Sequence, residues 1–141
     1  MAIILGFTGT RGDLTKYQMR KMRQIICHPE VVELHHGDCV GADAYAHTLA
    51  LMVGKHIVIH PPKNPKYRAW CMGIDCEWWP EKDYLARDRD IVKCSQLLLA
   101  VPKGPEVFRG SGTWATIRFG RQKRLADPTY RIRRLMPHGH Y

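Results

Sequence analysis

The 141 residues, 45% hydrophobic and 25% charged, describe a single soluble globular domain, 1–141, large enough to bury a core without staples. No apolar run approaches the roughly 18 residues that span a membrane, and Met1–Phe7, short and without a basic n-region, reads as a first strand, so neither a membrane span nor a secretion signal is expected. The net charge of +9 favours polyanions; in residues 103–141 only Glu106 and Asp127 oppose the lysines and arginines.

Residues 3–8 are almost all apolar, as in a strand covered on both faces. Thr15 to Cys27 reads as a helix with Thr15 as N-cap and Met19, Met22, Ile25 and Ile26 at helical spacing. Val31–His36 is a second strand, Ala42–Val53 a second helix stopped by Gly54, and His56–His60 a third strand broken by Pro61-Pro62. Residues 61–82, rich in Pro, Lys and Trp, are irregular and long enough to be functional or mobile. Tyr84–Cys94 follows as a helix with Leu85, Ile91 and Val92 inward. Leu97–Val101 is a fourth strand, Thr113 to Leu125 a helix, and Tyr130–Met136 an alternating edge strand. His138 and His140 lie too near the end to carry weight. The alternation predicts an α/β three-layer fold with a mostly parallel sheet of about five strands and helices on both faces. In such sheets ligands bind beyond the carboxyl ends of the strands.

Three Gly-containing loops follow strands and should open on that edge. Gly110-Ser111-Gly112-Thr113, before a helix, is the strongest phosphate candidate, because free amides and the positive end of the helix dipole meet there. Trp114 either stacks on a base or packs, and Arg118, one turn on, could point back. In Thr8-Gly9-Thr10-Arg11-Gly12, Gly9 allows close backbone approach, the threonines supply hydroxyls and Arg11 a bidentate fork. Neither a dinucleotide fingerprint nor a Walker loop is present. In Gly37-Asp38-Cys39-Val40-Gly41-Ala42-Asp43, Asp38 or Asp43 accepts from ribose hydroxyls or else caps the helix. Arg87, in the alternating charges of Tyr84–Asp90, is the expected inward member of a helix otherwise salt-bridged on its surface.

Cys27, Cys39, Cys71, Cys76 and Cys94 are an odd, scattered set, expected as reduced thiols in a cytoplasmic protein. Cys71 and Cys76 with His56 or His60 have metal-like spacing but no second close pair, so neither a metal site nor a cofactor is expected.

Together these elements resemble the SLOG superfamily, the Rossmann-like group that includes the LOG phosphoribohydrolases and the DprA/Smf DNA-processing proteins. The matching residues are Gly6-Phe7-Thr8-Gly9-Thr10-Arg11, the Gly37–Asp43 loop, Tyr84-Leu85-Ala86-Arg87-Asp88-Arg89 and Ser111-Gly112-Thr113-Trp114, in that order over about residues 3–137. They look most like small stand-alone proteins of bacteria and phages. The resemblance implies a nucleotide or nucleotide-derived ligand over the strand ends, and a homodimer or higher homo-oligomer. It also marks a departure. LOG enzymes carry Pro-Gly-Gly-x-Gly-Thr-x-x-Glu, and the position of that Glu falls here on Thr116, which cannot act as a carboxylate.

The expected function is therefore binding, in sensing or sequestration, of a phosphorylated, adenine-containing or NAD-derived nucleotide. One alternative is a glycosidic or phosphoester hydrolase using Asp38, Asp43 or Glu106. The other is a DprA-like single-stranded nucleic-acid binder using the basic C-terminal third.

Overall fold

A computed structural model describes residues 1–139; His140 lies outside them. The chain runs β1 (Ile3–Gly9), α1 (Lys16–Ile26), β2 (Val31–His36), α2 (Ala42–Met52), β3 (His56–Ile59), β4 (Glu77–Trp78), α3 (Tyr84–Cys94), β5 (Leu97–Val101), α4 (Gly112–Ala126) and β6 (Arg131–Arg134). The six strands form one sheet in the order β4-β3-β2-β1-β5-β6, and every neighbouring pair is parallel. The fold is the expected Rossmann-like α/β architecture with one strand more. That strand, β4, comes from the irregular 61–82 segment; two residues beside β3 carry no periodicity for a sequence to display. No helix among the described residues is long and apolar enough to cross a membrane.

The order reverses between β1 and β5, where consecutive crossovers leave toward opposite sheet edges. One face buries Leu5, Phe7, Leu34, Ile57 and Leu99 against Met22 and Ile26 of α1 and Ala46, Leu49 and Ala50 of α2. On the other face Leu98 packs with Val92 and Tyr130, and Ala100 with Trp114 and Ile117.

α1 begins in a full capping box. Thr15 Oγ1 accepts from the Gln18 amide at 3.1 Å, and Gln18 Oε1 accepts from the Thr15 amide at 3.1 Å. Gln18 is buried, and its Nε2 donates to the carbonyls of Pro102 and Leu135. In α3, Ile91 and Val92 are inward as expected, but Leu85 is half exposed; Arg87 and Asp88 take the buried positions instead.

α2 starts differently from expectation. Its N-cap is Gly41, at φ 89°, with no side-chain cap, so neither Asp38 nor Asp43 caps it. A Cβ at Gly41 would meet the Thr10 carbonyl at 2.6 Å. The helix end is docked on the β1 loop, with the Ala42 amide donating to Thr10 O at 2.9 Å. Gly9 belongs to this junction: a side chain there would overlap the Ala42 methyl. Gly9→Ala should therefore cost about 1–3 kcal/mol through overpacking, read as a lower urea midpoint at unchanged slope.

Candidate functional site

The loops after β1, β2 and β5 and the first turns of α3 and α4 enclose a cleft of about 1180 Å³. It lies over the carboxyl ends of the strands, at the reversal between β1 and β5. Of the residues expected to form a site, Thr8, Gly9, Thr10, Arg11, Gly37, Asp43, Arg87, Gly110, Ser111, Gly112, Thr113 and Trp114 all line it. Asp38 does not.

α4 presents its N-terminus to this cleft. Ser111 is its N-cap, and the Ser111 hydroxyl accepts from the Trp114 amide at 3.1 Å. The Ala115 amide is taken by the Ser111 carbonyl at 3.1 Å. The Gly112 and Thr113 amides have no protein acceptor among the described residues, and both residues face the cavity. Two unpaired donors at the positive end of a helix are the kind of group that anions meet in other proteins. Gly110 reaches the turn at φ 76°, in open space.

On the opposite wall Thr8 and Thr10 are buried. Thr10 Oγ1 accepts from the Gly12 amide at 3.1 Å, which tightens the turn around Arg11. Arg11 is exposed at the rim, its guanidinium 3.7 Å from the Tyr67 ring centroid. Arg89, Lys103 and Arg118 add positive charge around the opening. Arg118 anchors the loop as well, donating to Glu106 Oε2 at 3.3 Å and to the Val107 carbonyl at 3.1 Å. Leu85, Pro105, Val107 and Phe108 supply an apolar wall.

The floor is built around Arg87, only 6% exposed. Its Nε donates to Asp88 Oδ1 at 2.5 Å, Nη1 to the carbonyls of Gly37 and His60, and Nη2 to Cys39 Sγ at 3.3 Å. Burial opposes the charge, but Asp88, Cys39 and Asp43 hold the group firmly protonated. Arg87 is thus inward, as expected, and most of its donors are already committed to protein.

Asp43 Oδ2 accepts from the amides of Gly37 and Cys39, both at 3.1 Å, and so shapes the loop after β2. Burial outweighs Arg87 and these amides and pushes the Asp43 carboxyl up to about 7. Asp88, which sequence reasoning passed over in favour of its neighbour, also lines the cleft, beside the Thr116 hydroxyl and facing Gly112. Burial raises its carboxyl above the usual range despite Arg87. The signal that could have found it is local, since a buried arginine needs a carboxylate within reach.

Two expectations are corrected in detail. Asp38 is fully buried at φ 57° and points away from the cleft. It accepts from Arg68 Nε and from the Cys71 amide, both at 2.8 Å, and so pins the 64–71 stretch. Trp114 is 3% exposed, and its indole donates to the Gly104 carbonyl at 3.1 Å, so it packs and offers no stacking face. Thr116 is buried and donates to the Gly112 carbonyl at 2.8 Å. The 61–82 segment lies outside the cleft wall and touches it through Tyr67 beneath Arg11, the Asn64 carbonyl that accepts from the Tyr84 hydroxyl at 3.2 Å, and Arg68 beside Cys39.

The comparison with solved structures decides the fold. The chain is similar to the molybdenum cofactor binding protein from the phototrophic bacterium Rippkaea orientalis. The two share 18% identity at a TM-score of 0.66, over 96% of this chain and 77% of that one. At that identity the likeness is one of fold. No family model and no curated protein matches the chain.

The Asp43 carboxyl gives a pH test. Its folded-state value of about 7 lies above the ordinary 3.8, so the folded chain holds this proton more tightly than the unfolded chain. The stability it contributes is complete below about 4 and is lost as pH rises through about 7. Measured as the difference in unfolding free energy from Asp43→Asn, wild type should fall relative to the variant across that window, by up to about 4 kcal/mol. A flat difference would contradict the assignment.

Proposed function

We propose that the cleft binds a phosphorylated, adenine-containing or NAD-derived nucleotide, as a sensing or sequestering protein of the SLOG kind. The observation that carries this reading is the pair of unpaired amides, Gly112 and Thr113, at the α4 N-terminus in a cleft rimmed by Arg11, Arg89 and Lys103. In this arrangement the amides take phosphate oxygens and Arg11 closes over them. The exposed apolar wall of Leu85, Val107 and Phe108 accommodates the base. Asp43 reaches ribose hydroxyls with the carboxylate oxygen that the loop amides leave unused. The fold neighbour is named for binding a cofactor, which agrees with a ligand in this fold.

A second reading is favoured by a specific observation. Asp43 and Asp88, both buried and both with raised proton affinity, share the cleft with the anion site. The Asp43 carboxyl, raised to about 7, can donate and withdraw a proton near neutral pH, as a glycosidic or phosphoester hydrolase requires.

Mass spectrometry of the small molecules released from the purified protein, with calorimetry against NAD-derived and cyclic nucleotides, tests both readings. Binding predicts an intact nucleotide, and Arg11→Glu weakening affinity at least about tenfold. Hydrolysis predicts cleaved product that disappears in Asp43→Asn while affinity is retained. An empty cleft with no nucleotide bound would overturn both.

A further inference from the structure

Adjacent residues of β2 point to opposite faces of the sheet, and each face carries a group of two histidines and a cysteine. One group closes its own hydrogen bonds. His36 Nδ1 accepts from the Asp38 amide at 3.0 Å, so its proton sits on Nε2 and is given to His47 Nδ1 at 3.0 Å. His47 Nε2 then donates to the Met72 carbonyl at 2.8 Å. Every ring nitrogen is satisfied in the neutral form. A cation at His36 Nε2 would have to displace a proton from a neutral imidazole, so Cys71 beside this pair completes no metal site.

The other group, His35, His60 and Cys94, behaves differently. Glu33 Oε2 lies 2.6 Å from His35 Nε2, which therefore carries the proton, and the bare Nδ1 of His35 faces His60 Nε2 at 2.8 Å. His60 Nε2 therefore donates across this contact, and His60 Nδ1 remains buried without a partner among the described residues. His60 itself is 1% exposed. An imidazole whose second nitrogen donates to a carboxylate is the arrangement that orients metal-bound histidines.

One ring nitrogen from each histidine and the Cys94 Sγ lie within 4.8 Å of one another. A tetrahedral zinc ion with these donors holds them about 3.3–3.6 Å apart, which rotation of the side chains can supply. Carboxylates flank the group: Glu33 Oε2 bonds His35 at 2.6 Å, and Glu77 Oε1 lies 3.6 Å from His56 Nε2, while Asp90 is paired with Lys82 at 2.6 Å. Cys94 and Glu33 are only half buried, which gives an ion a way in.

We propose that His35, His60 and Cys94 form a site for a borderline-soft divalent cation, zinc by its donor set, with Glu33 positioning His35. Two imidazoles and a thiolate suit zinc and leave a fourth position for water. The ion would join β2, the end of β3 and α3 on the far side of Arg87, whose Nη1 bonds the His60 carbonyl at 3.2 Å.

The test is titration of the untagged, metal-free chain with Zn2+ against a competing chelator, and with Co2+ by absorption. One equivalent should bind, with a thiolate-to-cobalt charge-transfer band, and zinc should raise the unfolding temperature. Cys94→Ser and His35→Gln should each weaken binding by more than tenfold, and Glu33→Gln by about 10–100-fold. Cys71→Ser should bind as wild type does. Circular dichroism checks the fold of each variant; Cys94, half exposed at a helix end, is the substitution least able to unfold the chain. Absence of saturable binding, absence of the charge-transfer band, or binding retained in Cys94→Ser but lost in Cys71→Ser would overturn the site.

Discussion

The buried guanidinium of Arg87 is the constraint around which the functional edge is arranged. It holds the carbonyls that directly follow β2 and β3, pairs with Asp88 on its own helix and reaches Cys39 in the loop after β2. Gly37 is a glycine for this reason, since a Cβ there would overlap the guanidinium. A charge this deep persists only where carboxylate and carbonyl partners replace lost water, and removing one member of such a pair costs about 3–5 kcal/mol. Parallel strands ordinarily end in loops free to vary. Here one side chain fixes the ends of two of them to the first turn of α3, so the cleft has a rigid floor.

That floor sets the electrostatics above it. Asp43 and Asp88 are drawn to the guanidinium yet are buried enough that both hold protons more tightly than ordinary carboxyls. The free positive ends in the cleft are therefore elsewhere, at the two unpaired amides of α4 and the cations of the rim. An anion entering the cleft meets a helix terminus beside protonatable acids rather than a bare carboxylate pair. The same residues suit both proposals, which is why nucleotide sequestration and nucleotide hydrolysis are the two readings of this site.

Much of this was legible in the chain because the fold is local in its grammar. A buried strand followed by a Gly/Ser/Thr turn and a helix places the turn on the carboxyl edge, and Thr8–Gly12, Gly37 and Gly110–Thr113 all arrive there. Helix limits followed from caps and periodicity, as Thr15 and Ser111 illustrate. What escaped depends on contacts distant in sequence. Asp38 is turned away from the cleft by Arg68 and Cys71, some thirty residues on. Trp114 is claimed by the Gly104 carbonyl, and Gly9 serves the packing of α2 as well as the loop. The neighbours of Arg87 just beyond β2 and β3, and the pairing of His35 with His60, follow from strand order, which no local pattern encodes.

The central claim is that the Gly112 and Thr113 amides receive the phosphate of a nucleotide. Amide chemical shifts followed during titration with a nucleoside phosphate, and with the matching nucleoside, address it most directly. The account predicts that the largest downfield shifts fall on Gly112 and Thr113, with Arg11 and Gly110 following, and that they require the phosphate. Shifts that bypass α4's first turn, or that track the nucleoside equally well, would contradict it.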